Sequence, residues 1–546
     1  MTTRPNILMI VTDQEYAHQS MPAGFVLPNR DRIHARGVTF NNYHATTTVC
    51  TPSRSVMYTG RHTPSTRMFD NTNFAWIGNM QADPVALPTI GHMLRDLGYH
   101  TVYKGKWHLS EFPAGGTRDA MEPYGFSDYQ DTGDIQGAPM DGVLKDPLIA
   151  AEAVNWLTKR APEVAAAQPW YMTVNFVNPH DIMYFDTDAE EMVQVRGMMP
   201  IFSAPETPLY HQKWQTALPG SFFDDLEAHP PAVRSYKRLC DMAYGRIPMD
   251  RRDMWHNHVN YYLNCLLDVD RHIGAVLDAL EASGQADNTV IIFTADHGEM
   301  GGSHHLRQKG SVAFKETVNV PMVIVDPRHP GPGRTDAVGS HLDLVPTILA
   351  FAGLPEAELR QRYPFLKGHD LSSVVEDPTS VGPRGSSAEP GKGCLLTYDM
   401  IATIDAEWIN RNATKLFDQA AAQAGVEFHH GLESFVGMLD EIGLPNLAKR
   451  ELFRCVFDGR YKLVRYFGLG NYNLPASVKQ LLVDNDTALY DLLLDPEEMN
   501  NLANPTNPKY SEELLSTMNQ KLNALIDAEI GEDKALFTPP EKVPQK

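Results

Sequence analysis

Cysteine, positive charge and long apolar runs are all scarce in this chain, and each scarcity removes a class of protein. Five cysteines stand in 546 residues, at positions 50, 240, 265, 394 and 455. They are odd in number, widely spaced and never arranged as Cys-x-x-Cys. Neither a disulfide framework nor a zinc knuckle is therefore expected, and a reducing, cytoplasmic setting fits best. Basic residues are outnumbered 47 to 68 by acidic ones, leaving a net charge of −21. Nucleic acid and anionic membrane surfaces are therefore not expected as partners, because any such contact would have to be a local exception. The N-terminal apolar run, ILMIV, is too short for a signal-peptide core or a membrane span and reads as a buried strand. No internal repeat is visible. What remains is 42% hydrophobic and 21% charged, the balance of a soluble globular protein. It is too long for one ordinary domain, so a large core with a smaller C-terminal unit is expected.

The order of elements predicts the architecture. NILMIVTD is a strand ending in a carboxylate, Asp13, and LPTIGHMLRDLGYHTVYKGKW reads as helix, Gly98 stop and strand. DPLIAAEAVNWLTKRA is a helix and WYMTVNFVNPHD a strand. HVNYYLNCLLDVDRHIGAVLDALEASG is a long helix feeding the strand TVIIFTADHG, and PMVIVDP and HLDLVPTILAFAGL add a strand and a helix. Such alternation implies an α/β fold with a large, mostly parallel sheet sandwiched by helices. Ligands in these sheets bind beyond the carboxyl ends of the strands. Asp13, Lys106, His180 and Asp296 all follow strand-like runs, so the pattern gathers them on one rim. The expected division is a catalytic domain over 1–375, a Pro-, Gly- and Ser-rich linker over 376–393 and a C-terminal α+β subdomain over 394–546. In that subdomain FDGRYKLVRYFG alternates like an antiparallel strand, SEELLSTMNQKLNALIDAEI is helical, and FTPPEKVPQK is an extended tail. Residues 184–262 form a long irregular insertion rich in Met, Pro and aromatics, the pattern of a lid, a binding loop, an oligomer contact or a padded surface loop.

Two clusters carry chemistry. Asp13-Gln14 and Asp296-His297 sit at two strand ends and are either satisfied structural pairs or the ligands of one hard divalent cation, with oxygen-rich ligation suiting calcium, magnesium or manganese better than zinc. In TTTVCTPSRSVMYTGRHTP, residues 46–64, Pro52 and Ser53 are good helix-opening residues and Arg54 follows Cys50 by one turn. A helix N-terminus attracts anions. Cys50 by itself could be a nucleophile or a metal ligand, but an isolated cysteine is more often a buried core residue.

The motifs in order resemble the sulfatase family. CTPSR followed by SVMYTGRH resembles its signature, Cys-x-Pro-Ser-Arg with a downstream Thr-Gly-Arg. PNILMIVTDQ, PNRDRIHARGVTFNNYHA, YKGKWHLS, NPHD and TADHGEMGG resemble its remaining catalytic segments, and DGRYKLVRY and LYDLLLDPEEMNNLA its C-terminal ones, so the resemblance runs from residue 4 to 503. The resemblance implies an alkaline phosphatase-like fold and a formylglycine made from Cys50 by a formylglycine-generating enzyme. The hydrated aldehyde would attack a small anionic sulfate ester. By the same resemblance Asp13, Asp296 and His297, with Gln14 as fourth ligand, hold one divalent metal, calcium first and manganese or magnesium next. Arg54 orients the diol, Lys106 contacts sulfate oxygens, His108 helps expel sulfate, His180 protonates the leaving oxygen and Lys309 contacts the transferring group. The chain also departs from the family pattern. Many arylsulfatases carry Asp-Asp where it has Asp13-Gln14 and Asn where it has His297. Irregular spacing after Asp296 makes Lys315 a rival to Lys309. Gln and His at those places also occur in phosphonate monoester hydrolases and choline sulfatase-like members, and make the metal's surroundings less anionic. A phosphonate monoester or phosphodiester hydrolase is the alternative, and an inactive metal-binding scaffold a third reading. Lys106 and His108 favour sulfate. A homo-oligomer is expected.

Overall fold

The computed structural model describes residues 4–17, 21–72, 77–112, 120–129, 133–191, 196–412 and 442–538. Seven strands form the main sheet: β1 (Asn6–Asp13), β2 (Val38–His44), β3 (His100–Gly105), β4 (Trp170–Pro179), β5 (Thr289–Ala295), β6 (Met322–Val325) and β7 (Gly333–Ser340). Their order is β3-β4-β1-β5-β6-β2-β7. All pairings are parallel except those of β6, which runs antiparallel to both β5 and β2. β2 and β7, which sequence periodicity did not single out, lie at one end of the sheet and carry polar residues; β2 mixes buried with half-buried positions rather than running unbroken.

β1 shows why its apolar run is continuous. Ile7, Met9 and Val11 enter one core with Tyr103, Tyr171 and Ile292, while Leu8 and Ile10 enter the core on the other face with Met172, Val174 and Phe293. With helices on both faces, side chains pointing either way must be apolar. Each such side chain, fully removed from water, stabilises by roughly 1.5–3 kcal/mol. The helices Asp141–Lys159 and Arg252–Ala282 cover the second core through Leu157, Ile273 and Val276.

A second, four-stranded antiparallel sheet, β11-β10-β9-β8, is built from β8 (Cys394–Tyr398), β9 (Leu452–Phe457), β10 (Tyr461–Phe467) and β11 (Asp486–Asp491). The helix Glu512–Glu529 lays Leu515, Met518, Leu522 and Ile526 on one face of it, against Leu395, Val456 and Leu463. The other face packs on Val312, Phe314 and Val318, in the chain that follows β5. Arg384, within the Pro-, Gly- and Ser-rich stretch, is buried and joins the two parts, pairing with Asp343 at 2.7 Å and with Glu529 at 2.7 Å.

The 184–262 stretch is more regular than its sequence reads. It contains the helix Pro231–Tyr244, and the long helix starts at Arg252 rather than at His258. Ala232, Val233, Tyr236 and Cys240 form the buried stripe of the first of these, a helical spacing hidden by the flanking prolines. The tail expected at 537–546 lies, from 539 on, outside the described residues. Among the described residues no helix is long and apolar enough to cross a membrane.

Candidate active site

Parallel pairing brings the ends of β1, β4 and β5 together. Thr12 stands opposite Ala295 and Asp13 opposite Pro179, and the Asp296 amide donates to Thr12 O at 3.2 Å. Asp13, His180, Asp296 and His297 therefore emerge on one rim.

The helix Cys50–Thr59 closes this rim from above, its ten residues all buried. Val49 is extended at the N-cap, and Cys50 lies in the first turn, where backbone N–H groups lack intrahelical acceptors. Cys50 Sγ is 3.1 Å from His297 Nε2 and 3.9 Å from Asp13 Oδ1. One turn on, Arg54 donates from Nε to Asp296 Oδ2 at 2.9 Å, and from its two terminal nitrogens to Asp13 Oδ2 at 3.0 Å and Lys106 O at 2.8 Å. The signature's serine is structural: Ser53 Oγ donates to Asp296 O at 2.5 Å and lies 3.1 Å from His341 Nδ1.

Lys106 arrives through a turn that only glycine permits. Gly105 has φ +90, and a Cβ there would sit 2.1 Å from Asn175 O. This close approach lets the Lys106 amide donate to that carbonyl at 3.0 Å and aims Nζ at Asp13 Oδ2, 2.8 Å away. Gly137 lies against both Lys106 and His180: a Cβ on it would be 2.8 Å from Lys106 Nζ and 2.9 Å from His180 Cε1. His108, at φ 54, accompanies Lys106, and both its ring nitrogens are buried with no hydrogen-bond partner in the protein, as is His180 Nδ1. Lys309 reaches the same site, donating from Nζ to Gln14 Oε1, with Met183 Sδ 3.5 Å away. Lys315 does not: its Nζ is held by Pro496 O at 2.5 Å and Glu497 Oε1 at 3.3 Å.

Burial and charge set the protonation states. Asp13 is penalised by burial, yet Lys106, His180 and Arg54 hold its carboxyl well below the usual range. Burial and the neighbouring Asp13 charge push Asp296 up to about 7. Burial counts against the charged form of Lys106, but Asp13 keeps it raised. His180 is driven well below the usual imidazole range by burial, then by Lys309 and Lys106, and His108 by burial, then by Lys106 and Arg54. Burial likewise lowers His297.

The donor set fits one hard divalent cation. One ligand atom from each of Asp13, Cys50, Asp296 and His297 lies within 4.8 Å of the others. Two buried carboxylates crowded together are what such an ion relieves. His297 Nδ1 lies 3.1 Å from Gly298 O, an acceptor only, so this nitrogen carries the proton and Nε2 offers its lone pair inward. Gln14, at φ 68, donates its amide N–H to Asp296 Oδ1 at 3.1 Å, and its side chain is anchored by Glu299 and by Gln308 Oε1 at 3.2 Å. Glu299 was not among the residues expected from sequence. It also accepts from Gln308 N at 2.8 Å and Gly301 N at 3.1 Å. The available signal was its place three residues beyond Asp296 in TADHGEMGG, an acid in a segment otherwise fit for burial. Tyr184, whose ring centroid lies 6.1 Å from that of His180, and Tyr244, 6.1 Å beyond it, were missed as well; they come from the irregular stretch, where spacing carries no signal.

Comparison with known proteins gives the family. The Sulfatase family model matches residues 5–354, more than half of the chain. The uncharacterized sulfatase YidJ of Escherichia coli (strain K12) is 28% identical over 419 residues, 71% of this chain and 73% of that protein. Arylsulfatase A of Homo sapiens is 27% identical over 409 residues, 70% of this chain and 69% of its own. The solved phosphonate monoester hydrolase of Agrobacterium radiobacter shares the fold with a TM-score of 0.61 at 22% identity, over 95% of this chain and 96% of its own. The chain thus belongs to the sulfatase family of sulfuric ester hydrolases.

Proposed function

We propose that the chain hydrolyses a small sulfate monoester, aryl or otherwise, to an alcohol or phenol and sulfate, with residue 50 acting as formylglycine. The observation that carries this reading is the placement of Cys50 Sγ, 3.1 Å from His297 and beside Asp13, under a roof of Arg54 and Lys106. The Cys50 sulfur stands where an oxygen of the hydrated aldehyde would lie. A divalent cation held by Asp13, Asp296 and His297, with Gln14 as a further ligand, would lower the nucleophile's pKa and neutralise charge on the transferring group. The remaining chemistry belongs to side chains. Lys106 and Lys309 supply positive charge for sulfate oxygens. Arg54 fixes both carboxylates with one hydrogen bond each and donates a third to the Lys106 carbonyl, and so holds the site's geometry. His108, with two unengaged ring nitrogens, is free to take a proton as sulfate is expelled. His180 is the acid for the leaving oxygen. Its proton affinity is low in the resting site, and a bound anion between Lys106 and Lys309 offsets the two charges that depress it. Tyr184 and Tyr244 then form the wall met by the organic part of the ester.

The distinguishing experiment compares turnover of a nitrophenyl sulfate with that of phenylphosphonate esters on enzyme carrying formylglycine at position 50. A clear preference for the sulfate is expected. Preference for the phosphonate would replace this reading by the phosphonate monoester or phosphodiester hydrolase, and no turnover of either by a metal-loaded, formylglycine-bearing chain would favour a scaffold.

A further inference from the structure

We propose that Asp224, His229 and His304 hold a structural zinc ion, separate from the Cys50 site, that staples the 184–262 stretch to the chain following β5 and to the C-terminal sheet. Asp224 Oδ2 lies 2.6 Å from His229 Nε2 and 2.6 Å from His304 Nδ1. All three residues are buried, and one ligand atom from each lies within 4.8 Å of the others. Two imidazole nitrogens and one carboxylate oxygen converging in a closed space are a donor set for a first-row divalent metal. Zinc takes such ligands at about 2.0–2.2 Å, with a water completing the shell.

Each ligand is also held from behind. Leu226 N donates to Asp224 Oδ1 at 3.0 Å, which turns Oδ2 toward the rings. His229 Nδ1 lies 2.7 Å from the Tyr490 hydroxyl on β11, the kind of outer contact that fixes a ligating imidazole. His304 sits at φ 54, a left-handed backbone rare for a side chain of this size, with its N–H donating to Ser221 Oγ at 3.2 Å. Its ring is stacked on Phe314, with centroids 3.9 Å apart and planes within 15°. The outward nitrogen, His304 Nε2, and Glu316 Oε2 are both buried and lack a hydrogen-bond partner in the protein. Glu316 lies near enough to interact with His304 electrostatically. A His304 ligating through Nδ1 carries its proton on Nε2, a buried N–H whose charge the Glu316 carboxyl can offset electrostatically. Because Lys309 lies five residues beyond His304 (309 − 304 = 5), a staple here also steadies the loop that delivers Lys309 to the active site.

The test is the metal content of the whole enzyme, expressed with no metal supplement and dialysed before elemental analysis. One equivalent of zinc per chain is expected. X-ray absorption at the zinc edge should show a shell of nitrogen and oxygen with two imidazoles and no sulfur, which separates it from the Cys50 site with its single imidazole. Asp224→Asn and His229→Gln should each lose that equivalent while retaining the other cation, and their melting temperatures should no longer respond to zinc. Wild-type enzyme that neither contains zinc nor binds it after chelator treatment overturns the proposal, leaving two histidines hydrogen-bonded to one carboxylate. A one-imidazole zinc shell, or iron in place of zinc, overturns it equally. The wild-type measurements stand even if both variants fail to fold.

Discussion

Cys50 Sγ and His297 Nε2, 247 residues apart in sequence, lie 3.1 Å from each other at the junction of a helix N-terminus and a strand end. On the proposed reading His297 would serve a metal and the nucleophile at once, and the consequences are measurable.

Active protein should carry formylglycine at position 50, a residue about 18 Da lighter than cysteine because CHO replaces CH2SH. Peptide mass spectrometry reads this directly. Cys50→Ala should lower turnover by about 10³-fold or more, since the nucleophile is lost and each ~1.4 kcal/mol of barrier is a factor of ten. Full activity from an unmodified thiol would refute the assignment.

Chelation should abolish turnover, and calcium, manganese or magnesium should restore it. Asp296→Ala and His297→Ala should weaken metal binding in calorimetry and raise the metal concentration needed for activity, consistent with loss of a ligand from a set of three or four. Metal-free enzyme with undiminished activity would remove the cation from the reading.

His180 can be separated from Lys106 by leaving group and by pH. Loss of a general acid typically costs about 10²–10⁴-fold. His180→Ala should slow an unactivated sulfate ester by such a factor, and a nitrophenyl sulfate far less. Lys106→Ala should slow both alike if, as proposed, Lys106 contacts the transferring group. Burial, Lys309 and Lys106 lower the His180 pKa, so in the free enzyme its protonated form is already disappearing below the usual imidazole range. For the unactivated ester, kcat/KM should therefore fall as pH rises from the acid side. The fall in kcat should come at higher pH, because bound anion raises the histidine's proton affinity. Equal losses for His180→Ala on both esters would leave His180 a substrate-positioning residue, with Lys309 the next candidate for the acid.

Stability should depend on the buried cluster of Arg384, Asp343, Glu529 and His62. Arg384→Ala leaves two buried carboxylates without their cation and should destabilise by about 3–5 kcal/mol in denaturant titration, as broken buried pairs do. Burial alone would raise Glu529, but Arg384 and His62 hold it down to about 2. A depressed folded pKa gives stability that is present above the unfolded value of about 4.3 and lost as pH falls toward the folded one. Unfolding stability should therefore decline between about pH 4.5 and about pH 2, and Glu529→Gln should flatten that decline. A wild-type profile unchanged by the substitution would show that other acids govern it.

Local sequence made many of the elements, and the shared rim of the candidate site residues, legible. An unbroken apolar run such as ILMIV fits a strand covered on both faces, and Pro-Ser-Arg after Cys50 favours a helix start. Parallel strands share one carboxyl rim, so Asp13, His180 and Asp296 could be placed together from their positions alone. Tertiary structure decided what depends on contacts distant in sequence. It turned Lys309 toward Gln14 and Lys315 toward Glu497, a choice that spacing left open. It set β6 antiparallel, which a short apolar strand does not encode by itself. It buried Glu299 behind Gln14, and it brought Asp224 and His229 from an irregular stretch to His304 beyond β5. Periodicity reports which face of an element is covered; which side chain meets another from a remote segment is fixed only when the chain is packed.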